Sequence, residues 1–73
     1  MKKRLIDMRE GTTGRVLGFQ DDEIGAKLLE MGCFPGNKVK IIRSAPFGCP
    51  LYVKVGHHQL ALRKQEAENI LIA

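Results

Sequence analysis

Four side chains of this 73-residue chain have types that could hold a soft metal ion: Cys33, Cys49, His57 and His58. Zinc sites draw such donors together at characteristic spacings and in tetrahedral geometry. The separations here match no zinc-finger pattern, and the adjacent His57 and His58 would point to opposite sides of an extended backbone. Ferrous ion is held well by imidazole together with carboxylate, and no set of acids stands among these four residues. The pattern predicts no metal site and no cofactor, with Cys33 packed at a helix end and both histidines solvated in a hairpin turn. Phosphate binding fares no better, because neither "GTTGRVLG" nor "EMGCFPGNK" has the spacing of a Walker or dinucleotide loop. The acids Asp21, Asp22 and Glu23 are consecutive at a helix start, where capping accounts for them. No nucleophile has an evident base partner, so the chain reads as noncatalytic.

The remaining residues of interest are apolar. Phe34 and Phe47 stand beside Pro and Gly in turns, where an aromatic ring is harder to bury than in a strand. Packing in the core is one reading and contact with a partner is the other, since apolar groups at loop tips can form an interaction surface.

The elements that must position these residues follow from periodicity. Arg15 to Phe19 reads as a first strand, weakened at Gly18. Ile24, Leu28 and Met31 then fall at helical spacing, with Asp21 or Asp22 as N-cap and Glu23–Lys27 as a favourable i, i+4 pair. Gly25 costs that helix roughly 1 kcal/mol relative to Ala, which predicts a close approach by another group. Gly32 suits the left-handed position past the helix, with Cys33 against Leu28, and Pro35–Gly36 suits the centre of a type II turn. Asn37 to Ala45 is the second strand, where Ile42 breaks the alternation of Val39 and Ile41 and predicts a bulge or a doubly covered residue. "PFGCP" is a turn, "LYVKV" a third strand, "GHHQ" a turn and "LALR" a fourth strand. "KQEAEN" forms about one helical turn with Asn69 as a left-handed stop, and "ILI" is the last strand. The expected fold is mainly β: a small five-stranded SH3-like barrel over residues 1–73, with one α-helix inserted after the first strand and a short helical turn before the last. Closure of such a barrel removes exposed strand edges.

Length and charge bound the function. A chain of 8.2 kDa forms one domain and leaves no room for a deep substrate cavity beside its core. The opening "MKKRLIDMREG" is basic, but Asp7 interrupts the apolar run required of a signal peptide, and no transmembrane run exists. The chain therefore reads as cytoplasmic with its native N-terminus and two free thiols. A net charge of +4 permits an acidic partner. The basic residues other than "KKR" look scattered, with only Phe19, Phe34, Phe47 and Tyr52 as aromatics, so a nucleic-acid-binding barrel is the alternative and not the first reading.

From "LLEMGCFPGNKVKIIRSAPFGCPLYVKVGHHQLALRKQEAENI", together with "GTTGRVLGF", the chain resembles the FeoA family. That pattern runs from a helix end with Met-Gly or Leu-Gly through Pro-Gly, a Val-rich strand and Ala-Pro-x-Gly-x-Pro to Leu-x-Leu-Arg and Glu-Ala. The resemblance implies an SH3-like barrel and a small cytosolic accessory to ferrous iron uptake, acting by contact with the cytoplasmic part of the FeoB GTP-binding transporter. One departure is Cys49, where the family usually has Asp. The residues expected to touch the partner are Leu29, Cys33, Phe34 and Pro35, with Phe47 and Pro50 from what reads as a neighbouring turn.

Overall fold

Residues 3–73 are described in the computed structural model, and Lys2 of the basic opening lies outside them. The elements run β1 (Lys3–Arg4), β2 (Thr13–Phe19), α1 (Asp22–Glu30), β3 (Lys38–Ser44), β4 (Leu51–Val55), β5 (His58–Leu62), α2 (Lys64–Asn69) and β6 (Ile70–Ile72), with a 3-10 turn at Leu5–Asp7. All strand pairs are antiparallel, in the order β1-β6-β2-β3-β4-β5. The fold is mainly β and SH3-like, with the helix after the first long strand as the sequence predicts.

Six strands are present where five were expected, because Lys3 and Arg4 pair with Ile72 and Leu71 on the free edge of β6. Two residues carry no periodicity that a sequence could reveal. What holds them is the next residue, Leu5, which is wholly buried. The hydrogen-bonded order also has two ends, and no pairing among the described residues joins β5 back to β1. Instead α2, which follows β5, packs on the Leu5–Asp7 turn, which follows β1, and so spans the break.

Alternation builds the core. Val39 and Ile41 of β3 and Leu51, Val53 and Val55 of β4 face inward, while Lys38, Lys40 and Lys54 face out. Ile42 is the extra residue of a β-bulge, lying between the pairs Ile41–Val53 and Arg43–Tyr52, and it is exposed. The β4–β5 connection is tighter than "GHHQ" implies, since His58 already pairs with Val55 as the first residue of β5. A side chain on Gly25 would meet Phe19 at 2.9 Å, which explains a helix-weakening residue at that position.

Asp21 caps α1 as expected, its carboxylate accepting from the Glu23 and Ile24 N–H groups at 2.8 and 3.2 Å. Two side chains behave differently from the sequence reading. Lys27 reaches Glu66 on α2 at 3.4 Å in place of Glu23, because Glu66 is largely buried and already fixed by the Arg63 N–H at 2.8 Å. Asn69 is a helical residue and not a left-handed stop. Its amide Nδ2 donates to the Asp21 carbonyl at 3.2 Å, its Oδ1 accepts from the Asp21 N–H, and its own carbonyl accepts from the Gln20 N–H at 3.0 Å. That reciprocal clasp ties the start of α1 to the end of α2.

Candidate partner-binding site

Helix α1 ends in a Schellman stop. Gly32 has φ of 94°, its N–H donates to the Leu29 carbonyl at 3.0 Å, and the Cys33 N–H donates to the Leu28 carbonyl at 2.9 Å. Residues Phe34 to Asn37 then form the expected turn, closed by the Asn37 N–H on the Phe34 carbonyl at 3.1 Å with Gly36 at φ of 93°. Strand β2 fastens this corner from below: the Gly36 N–H donates to the Val16 carbonyl at 2.7 Å, and Arg15 donates to the Gly36 carbonyl at 2.6 Å. Leu29 and Phe34 stay 39% and 50% exposed, and Pro35 is exposed beside them. Cys33 does not belong to this surface. It is wholly buried against Leu28 in the core, so it supports the corner without reaching a partner.

The second turn, Ala45 to Pro50, is not a neighbour of the first. The seven residues of β3 run between them, placing the two turns roughly 20 Å apart at a strand rise of about 3.3 Å per residue. In a molecule whose extents are 28 × 27 × 19 Å, that sets them at opposite ends. The expected site is therefore two patches.

The second patch has the more unusual geometry. The Ala45 N–H donates to the Pro50 carbonyl at 3.0 Å and closes the loop, and the Cys49–Pro50 peptide is cis. Phe47 sits at φ 72° and ψ 10°, the left-handed region that a bulky residue rarely enters, and its ring is as exposed as in an extended chain, at 105%. Core packing is thus excluded for it. Beside the ring lies a groove of about 210 Å³ lined by Ile6, Met8, Ser44, Phe47, Cys49, Leu51, Lys64 and Ala67. The 3-10 turn supplies Ile6, β4 supplies Leu51 and α2 supplies Ala67, so rigid elements hold three of its walls. Lys64 is the only charged residue of this lining. Two other cavities lie around Thr12–Gly14 with Ile72, and around Gln20 and Asp21 with Glu68.

Of the groups first considered for metal chemistry, the His58 ring lies beside Gly32, the residue before buried Cys33, and among the described residues no third group joins them. Cys49 precedes β4 and His57 follows it, so that strand separates them. Burial pushes the Cys33 thiol up to about 11, which disfavours the thiolate that binds metals or attacks electrophiles. Among the described residues no group of three His, Cys, Asp or Glu converges. No helix among them is long and apolar enough to cross a membrane.

Sequence reasoning named Phe47 and Pro50 but missed Ile6, Met8, Leu51, Lys64 and Ala67 beside them. A signal existed for Ile6 and Met8, which flank Asp7 in an apolar run too short for a strand.

The family model of the FeoA domain matches residues 3–73. An NMR structure of a FeoA-like protein from Clostridium acetobutylicum superimposes with a TM-score of 0.90 at 27% identity, covering 99% of this chain and 85% of that one. The crystal structure of Stenotrophomonas maltophilia FeoA complexed with zinc gives 0.84 at 32% identity over 97% and 89% of the two chains. That protein is described as a procaryotic SH3 domain protein and a candidate bacterial ferrous iron transport activating factor. A manganese-dependent transcriptional repressor matches at 0.87 and 18% identity over 99% of this chain and 41% of its own, which is a likeness of fold.

Proposed function

The chain belongs to the FeoA domain family, and from that premise we propose that it is a noncatalytic accessory of ferrous iron transport, acting by contact with the cytoplasmic part of a FeoB-type transporter. The observation that carries this reading is Phe47: a fully exposed ring, held in a left-handed conformation beside an apolar groove. Strained backbone of this kind persists where surrounding structure enforces it, and it is frequent at ligand clamps. An exposed aromatic next to a preformed groove offers the two halves of an interface hot spot, a ring to insert and a pocket to be filled. The single cation on the groove, Lys64, suits a partner segment that carries an apolar side chain with a carboxylate close by.

The Leu29–Phe34–Pro35 corner forms a second, smaller patch at the other end of β3. A pull-down of the transporter's cytoplasmic domain with Phe47→Ala and Phe34→Ala separates the two. Loss with Phe47→Ala and retention with Phe34→Ala is the expected result. Equal capture by both variants refutes the site.

A further inference from the structure

The stretch from Met31 to Gln65 contains six Lys or Arg residues and no Asp or Glu. All eight acids lie before or after it, on the N-terminal segment and the two helices. Folding turns this asymmetry along the chain into an asymmetry in space. The exposed residues of β2, β3 and β4 include Arg15, Lys38, Lys40 and Lys54, which alternate with buried Val16, Val39, Ile41, Val53 and Val55, and Arg43, which stands opposite Tyr52 beyond the bulge. Register brings them together: Arg15 stands opposite Lys38, and Lys40 stands opposite Lys54. Like charges directly opposite on one sheet face destabilise it. Within the described residues none of these five makes an ion pair, and Arg15 donates only to a backbone carbonyl. Glu10 meets the rim of the face, where its carboxylate accepts from the Ser44 N–H at 2.7 Å.

We propose that this sheet face docks on an anionic lipid surface. Across three strands spaced about 4.8 Å apart, the five cations fall within roughly 15 Å of one another. The opposed Arg15–Lys38 and Lys40–Lys54 pairs, about one strand spacing apart, lie within the Debye length of about 8 Å at physiological salt, so the fields of neighbouring cations reinforce. None of the three cavities described above is lined by Lys38, Lys40, Arg43 or Lys54. A cationic face that lines none of these cavities offers no means of selecting one side chain of an acidic peptide, but it matches the spread charge of lipid headgroups. Nucleic acid fits less well. The one aromatic on the face, Tyr52, is covered by the Arg43 guanidinium at 4.4 Å from its centroid, which leaves no open ring for a base to stack on. This inference is independent of the transporter reading and of the Phe47 groove.

The test is flotation of the full chain with vesicles of phosphatidylcholine alone, and with phosphatidylcholine containing about a third phosphatidylglycerol. Each basic residue near an anionic surface is worth about fivefold in partition, so Lys40→Gln with Lys54→Gln should lower binding about 25-fold. Arg9→Gln with Lys64→Gln removes the same net charge from elsewhere and should lower it far less. Removing the opposed Lys40 and Lys54 charges should also raise the melting temperature, which guards against reading a folding defect as lost binding. Three outcomes overturn the proposal: no preference for the anionic vesicles, equal loss in the two double variants, or tighter binding to poly(U) or polyglutamate than to vesicles at the same salt.

Discussion

Replacing Phe47 by Gly should make the protein more stable while removing its most exposed aromatic. The residue has φ 72° and ψ 10°, where a side chain at Cβ crowds the following carbonyl oxygen at a cost of about 1–2 kcal/mol. Glycine relieves that crowding, but it loses about 0.5–1 kcal/mol more backbone entropy on folding. The ring is 105% exposed and contributes little burial, so the net gain is about 0.5–1 kcal/mol. For a domain of this size, that is a rise in melting temperature of roughly 2–8 °C. Phe47→Ala keeps the Cβ and the strain, and should melt within a degree or two of the parent. Thermal unfolding of the three proteins followed by circular dichroism decides it. A Phe47→Gly protein that melts at or below Phe47→Ala would show that the ring packs on the groove or that the backbone is not left-handed there, and the argument from strain would fail.

Four further outcomes are expected. Asn69→Ala should cost about 1–3 kcal/mol in urea unfolding, since it removes two hydrogen bonds that satisfy the Asp21 backbone. Native protein should react with a thiol reagent near neutral pH at exposed Cys49 and not at buried Cys33, while denatured protein reacts at both. Because the Cys33 thiol is raised by burial from 9.0 to about 11, the folded state keeps a proton that the unfolded state releases; its contribution is intact below pH 9 and declines between 9 and 11, a loss that Cys33→Ala should not show. Anaerobic calorimetry of the reduced protein with ferrous ion or zinc should show no saturable site per chain; one abolished by His57→Ala or Cys49→Ser would contradict the reading of these residues.

Local chemistry was legible where one residue type has one use. Gly32 and Gly36 mark the helix stop and the turn, because positive φ leaves few alternatives, and the broken alternation at Ile42 narrows it to a bulge or a doubly covered residue, of which the structure has the bulge. Nonlocal outcomes were not. The pairing of Lys3 and Arg4 depends on a free edge at β6, and the role of Asn69 depends on the start of α1 lying beside it, 48 residues away in sequence. The two turns read as neighbours in the sequence, although the seven-residue strand between them requires separation. The burial of Cys33 follows from its place after the Schellman glycine, where a hydrophobic contact with Leu28 is usual, and that contact excludes it from the surface. The basic face is not legible in the sequence, because cations spaced two residues apart look scattered until strand register aligns them.

The proposed contact pairs the Phe47 loop and its groove with a FeoB-type transporter. It is tested most directly by adding the transporter's cytoplasmic domain to isotope-labelled protein and following amide chemical shifts residue by residue. Shifts concentrated at Ala45 to Leu51 and at Ile6, Met8 and Ala67, and absent in Phe47→Gly, are the result expected. Binding with shifts confined to other surfaces, or unchanged in Phe47→Gly, would contradict it.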